Sequence, residues 1–229
     1  MGLRTNVYTG VALAALCLSL SGPALAAQVA VPLGNTMNVP GVGMNLACAD
    51  LKVDGTLNAG SAQINQTASM MIGATGQVLA GSATITIAGN WNNLGLFSAG
   101  SSTVVLGDGC PGSSAQLTGS TTFFNLTVVS AKGKTFNFPP GAQITVLGTL
   151  TLQGVPGAPV HIATLPGQAA TITLAPGATL VQSNAEIGPT VQITSGGHSI
   201  PTLASSALVA LSMMILALMG MARRRRTRT

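Results

Sequence analysis

The chain is predicted to be all-β. The expected fold is a right-handed parallel β-solenoid over residues 50–195, with an antiparallel β-sandwich as the competing arrangement and one transmembrane helix near the C-terminus. Three observations lead there. Apolar and polar residues alternate with period two in short runs, which places one set of side chains inward and the other outward. Glycines and Pro-Gly pairs punctuate those runs, as strands followed by forced corners require. Residues 203–222 form an uncharged apolar stretch, closed by Arg223, Arg224, Arg225, Arg226 and Arg228.

Residues 1–27 have the three parts of a secretory signal. Arg4 supplies the positive start, Val11 to Leu20 the apolar core, and Pro23-Ala24-Leu25-Ala26 the small-residue cleavage site, with cutting expected after Ala26 or Ala27. Residues 28–49 are rich in Gly, Pro, Asn and Met without a clear period and are expected to be a lead-in or capping segment.

The alternation begins at Asp50. It runs through Leu51 to Leu57, Gln77 to Leu79, Ala83 to Ala88, Ser102 to Leu106, Phe124 to Val129 and Gln143 to Leu152. Pro166-Gly167 and Pro176-Gly177, 10 residues apart, then divide Val160 to Leu165, Ala170 to Leu174 and Thr179 to Gln182, and Val191 to Thr194 follows. Strand plus corner, repeated, suits coils that stack because none buries its own apolar face alone. Coils of about twenty residues give roughly six or seven turns. The succession from Gly89-Asn90-Trp91-Asn92-Asn93 through Gly119 to Thr127 resembles the passenger-like repeats of bacterial surface proteins that form parallel β-helices.

Residues 196–202 are expected to be a linker. A helix over the 20 residues 203–222 would rise about 30 Å, the thickness of a bilayer's hydrocarbon core. Short basic flanks resist translocation, so residues 223–229 should stay cytoplasmic while the region before the span lies outside. The layout of Ile200-Pro201-Thr202-Leu203, apolar span and terminal arginines resembles the IPTL-CTERM sorting domain of Gram-negative bacteria, over about Ser199 to Thr229. That resemblance implies Ile200, Pro201, Thr202 and Leu203 as a recognition motif and Arg223 to Arg226 as a basic stop. It further implies an inner-membrane precursor, an exosortase-type processing enzyme as partner, and release to the surface in the company of exopolysaccharide. An ordinary single-pass anchor needs the same span and flank. Pro201 favours an extended segment before the helix, as a protease would require of its substrate.

The net charge of +5 belongs to the targeting ends. Between Gln28 and Ser199 stand Lys52, Lys132 and Lys134 against Asp50, Asp54, Asp108 and Glu186, a net of −1. Nucleic-acid binding needs a clustered positive field, so no nucleic-acid partner is expected. Cys17 leaves with the signal. Cys48 and Cys110 remain in a compartment that permits a disulfide, and a bridge or two buried thiols are both compatible with their spacing.

Few residues offer chemistry, and neither catalytic residues, cofactor nor metal site is expected. His161 and His198 are too far apart in sequence to read as a pair, and an isolated His in an alternating strand points outward. Asp50 and Asp54 are expected on one side of a strand with Lys52 on the other, an arrangement that raises a carbohydrate-cleaving pair as the enzymatic alternative. Trp91 among Asn90, Asn92 and Asn93 is either a sugar-binding spot or a turn residue packed on the coil end. Asn65-Gln66-Thr67 and Asn125-Leu126-Thr127 match glycosylation sequons. The expected product is an exported, non-enzymatic surface or matrix protein, with a carbohydrate-binding or carbohydrate-active module as the alternative.

Overall fold

The computed structural model describes residues 27–195 except Pro40, Val42, Ser113, Pro140, Gly141, Pro166 and Gly167. All regular structure among them is strand. The first turn of chain comprises β1 (Gln28–Val31), β2 (Thr36–Asn38) and β3 (Met44–Asn45). The second holds β4 (Asp50–Val53), β5 (Thr56–Asn58) and β6 (Gln63–Thr67), and the third β7 (Met70–Ile72), β8 (Gln77–Leu79) and β9 (Thr84–Ile87). The fourth has β10 (Trp91–Asn93), β11 (Leu96–Ser98) and β12 (Thr103–Leu106). In the fifth, β13 (Ser114–Phe123) serves two faces and β14 (Asn125–Val129) the third. The sixth is β15 (Thr135–Phe138), β16 (Gln143–Val146) and β17 (Thr149–Gln153); the seventh is β18 (Val160–Thr164), β19 (Ala170–Leu174) and β20 (Thr179–Ser183). Strands β21 (Ala185–Ile187) and β22 (Val191–Ser195) open an eighth.

Each strand pairs in parallel with its counterpart one turn away. The first face therefore stacks β1, β4, β7, β10, β13, β15, β18 and β21, and the third stacks β3, β6, β9, β12, β14, β17 and β20. On the second face, β2, β5, β8 and β11 form one ladder and the far half of β13 leads β16, β19 and β22 in another. This is a parallel β-solenoid of about seven turns, and the parallel pairing sets the antiparallel sandwich aside. Residues 28–49, expected as a lead-in or capping segment, carry three strands that pair with β4, β5 and β6 and so make the first turn of the coil.

Alternation dictates which side chains fill the coil. In β4, β9, β12 and β15 every second residue is buried. Parallel register then stacks like on like: Leu51, Met70, Trp91 and Leu117 in one inner column, Ile64, Ile85, Val104, Leu126 and Leu150 in another. Each of these side chains is buried, and full burial of an aliphatic one contributes about 1.5–3 kcal/mol. An aromatic cluster fills the core at the fourth and fifth turns. There the Trp91 ring sits 5.0 Å from those of Phe97 and Phe123.

Corners are made by small residues. Ala59-Gly60-Ser61-Ala62, Ala80-Gly81-Ser82-Ala83 and Ala99-Gly100-Ser101-Ser102 stack one above another between the second and third faces. Gly60, Gly81 and Gly100 share a left-handed φ of 57°, 57° and 56°. A Cβ on Gly81 would lie 2.3 Å from the carbonyl oxygen of Gly60, and one on Gly100 2.2 Å from that of Gly81. Only glycine meets both demands, the positive φ and the close approach of one turn to the next.

Among the described residues no helix is long and apolar enough to cross a membrane. The expected signal segment up to residue 26, the linker, the span at 203–222 and the basic tail lie outside the described residues.

Candidate functional site

The chemistry-bearing side chains gather at two places, the corner between the third and first faces and the outer surface of the first face. At the corner, Cys48 and Cys110 are joined as a disulfide, with Cα atoms 5.7 Å apart. Cys48 precedes the second turn and Cys110 the fifth, so corner positions three strand spacings apart would be separated by about 14 Å. The segment after β12 therefore doubles back along the corner to bring Cys110 down. The sequence alone left this pairing open because spacing carries no geometry.

That excursion leaves a gap in the ladder, and Lys134 fills it. One turn earlier, the Gly89 N–H donates to the Ala68 carbonyl. The equivalent donor to Ala88 would come from residue 108, which has turned away, and the Lys134 ammonium donates to the Ala88 carbonyl instead. It donates also to Gly107 O at 3.3 Å and lies 5.7 Å from the Phe136 ring centre. Lys134 is 1 % exposed. Burial pushes its pKa below the ordinary lysine value, opposed by attraction to Asp108 and reinforced by repulsion from Lys132. Asp108 itself accepts hydrogen bonds from the Ser130 hydroxyl and from the N–H groups of Ala131 and Lys132, at 2.7–3.2 Å. Carboxylate and ammonium are thus both engaged in closing the corner. A signal for Lys134 was present in the sequence, because period two through the inward Phe136 and Phe138 puts residue 134 on the inner side as well.

On the first face, Asp50, Ser69, Asn90, Asn92, Gln116 and Thr118 border a shallow depression of about 270 Å³. Backbone N–H groups occupy part of this set: Ser69 N–H donates to Asp50 Oδ1, and Gln116 N–H to Asn90 Oδ1. What remains, beside Met70 and the exposed Met71, is one carboxylate amid neutral amides and hydroxyls, polar groups that suit hydrogen bonding to a neutral polyol. Asp54 does not complete a pair with Asp50. Lys52 sits on the same outward side as both, since residues two apart share a face, and its Nζ is 2.9 Å from Asp54 Oδ2. This corrects the expectation that Lys52 would point the other way.

The remaining candidates fall as follows. Trp91 is neither a sugar platform nor a coil-end turn residue: it is fully buried in β10, its indole N–H donating to Thr121 Oγ1 at 3.0 Å. Asn93, two residues on, is buried and donates to the same hydroxyl at 3.0 Å. His161 points outward, its Nδ1 3.0 Å from Glu186 Oε2 on the next turn. Asn125 of the second sequon is engaged, accepting from Thr149 N–H and donating to Thr103 Oγ1. Ala27 is exposed and its carbonyl accepts the Asp50 N–H. Ala24, Ala26, His198, Ile200, Pro201, Thr202, Leu203 and Arg223 to Arg226 lie outside the described residues. Comparison with family models, with curated proteins and with solved structures found no match to this chain.

Proposed function

We propose that the chain is an exported, non-enzymatic cell-surface or extracellular-matrix protein, sorted through its C-terminal tail. In this reading residues 1–27 direct export and are removed, and a right-handed coil over 28–195 is the displayed part. Residues 203–222 hold the precursor in the inner membrane as a helix. The arginines stay cytoplasmic until an exosortase-type enzyme cuts near Ile200 to Leu203, and exopolysaccharide is the companion at the surface. The observation that carries the reading is the parallel coil itself, whose stacked turns bury continuous apolar columns and present mostly uncharged Thr, Ser, Asn and Gln outward, a body suited to display. The dispersal of the acidic side chains supports the non-enzymatic part, with Asp54 paired to Lys52, Asp108 closing a corner and Glu186 facing His161. Mass spectrometry of the surface fraction should find a form that lacks the arginine peptides, and Pro201→Ala should insert normally yet be released poorly. Recovery of the arginine tail from that fraction would replace processing with a permanent anchor.

A second reading rests on the depression beside Asp50. There the coil is a carbohydrate-binding module whose amides hold the producer's own polysaccharide. Retention on that polysaccharide, lost in Asn90→Ala, would favour it; absence of both retention and cleavage would remove it.

A further inference from the structure

The third face is a two-dimensional array five turns deep, longer than the outward column of Thr122, Thr145, Thr173 and Thr194 on the second face. Register aligns Thr84, Thr103, Asn125, Thr149 and Thr179 in one outward column. A second outward column holds Thr86, Val105, Thr127, Thr151 and Val181. Strand geometry spaces the positions about 4.8 Å along the stack and about 6.7 Å along each strand. Nine of the ten side chains are Thr or Val, which share one shape and differ by a hydroxyl for a methyl. β-Branched side chains are stiff at χ1, so the array holds its form without losing much entropy on contact. In the first column Asn125 Nδ2 donates to Thr103 Oγ1 at 3.3 Å, and the Thr149 and Thr179 hydroxyls lie 3.1 Å apart. These bonds fix the hydroxyls further.

Charge and aromaticity are both missing from this surface. None of the strands β3, β6, β9, β12, β14, β17 and β20 contains a charged or aromatic residue. The charged side chains of the coil stand on the first face or at the corner beside it. A charged ligand would find no partner here, and a sugar would find no ring to stack on. A repeat in two directions matches a crystal rather than a single molecule. The crystal that alternating methyls and hydroxyls template is water itself: hydroxyls bond into the lattice while methyls order the water held between them.

We infer that the third face of the coil binds ice. This inference goes beyond the sorting reading and does not depend on it. The test uses the full chain purified in mild detergent, with detergent alone as blank, and measures both ice recrystallisation and partition into a growing ice front. The unaltered chain slows recrystallisation and enters the ice. Thr127→Lys, at the middle of the array, raises the concentration required by about tenfold or more, equivalent to ~1.4 kcal/mol of lost contact. Thr151→Lys, one turn further, does the same should the first variant fail to fold, folding being followed by the fluorescence of buried Trp91. Glu186→Lys, on the first face, changes nothing. Inactivity of the unaltered chain, or an equal loss in Glu186→Lys, overturns the proposal. So does adsorption to microcrystalline cellulose or chitin through Thr127 with no effect on ice, which would make the crystal a polysaccharide.

Discussion

Replacing Gly81 by alanine separates two costs that a solenoid corner imposes. The φ of 57° alone costs an L-residue about 1–2 kcal/mol. The added methyl would also stand 2.3 Å from Gly60 O and 3.0 Å from Gly60 C. Those are backbone atoms of the turn below, so relief requires prising two turns apart, at about 1–3 kcal/mol by analogy with an overpacked core. Gly81→Ala should therefore destabilise by roughly 2–5 kcal/mol in all. Gly34 provides the reference, for its φ is 79° and an added Cβ would meet nothing within 4 Å. Gly34→Ala should show the conformational cost alone. Urea unfolding followed through Trp91, the single tryptophan and fully buried one turn away, reads both. With a urea slope of about 1–3 kcal/mol per molar, the Gly81 variant should unfold about 1 M earlier than the Gly34 variant. Equal midpoints would refute the claim that close stacking of turns, rather than local φ, makes these glycines necessary.

The corner lock yields two more expectations. Reducing the Cys48–Cys110 bridge, or changing both residues to serine, releases a loop with a sequence separation of 62 and should lower stability by about 4 kcal/mol in the chain-entropy model. Thiol titration of the oxidised chain should find neither cysteine reactive, and an unchanged unfolding midpoint after reduction would contradict the staple. Lys134→Met keeps the side chain's bulk but leaves the Ala88 and Gly107 carbonyls without their donor, and should cost about 1–3 kcal/mol. Its effect on pH dependence has a definite sign. The folded-state pKa of Lys134 lies below its ordinary value of 10.5. Between the two values the unfolded chain binds more protons, so stability should rise with pH as 10.5 is approached from below. That rise should vanish in Lys134→Met, and a rise of the same size in the variant would show that another group produces it.

Much of the coil was legible from residues 50–195, because period two and glycine punctuation are properties of local sequence. The parallel direction was harder, since both parallel and antiparallel sheets read as short alternating strands. One decisive signal was there to be read: Ala-Gly-Ser-Ala at 59–62 and 80–83 and its near copy at 99–102 recur at the length of one turn, as stacked identical corners demand. The first turn was read as a lead-in because β2 and β3 are only 3 and 2 residues long. Such strands are too short to show a period, and they are strands because β5 and β6 template them. Trp91 misled through its asparagine neighbours, which suggested a turn; yet its place in the column of Leu51 and Met70 is an inner one. The disulfide and the Ala88 contact of Lys134 depend on a chain excursion whose path no local pattern records. The threonine array was foreseen only as outward polarity, for its two-dimensional order exists once register is set.

The account rests above all on the coil being outside the cytoplasm and the arginines inside it. Fusions to alkaline phosphatase, active only after export, placed after Ser195 and after Thr229 in otherwise intact chains, test that directly. The account predicts activity for the first and none for the second, with a fluorescent cytoplasmic reporter showing the opposite. Phosphatase activity from the fusion after Thr229, or none from the fusion after Ser195, would contradict it.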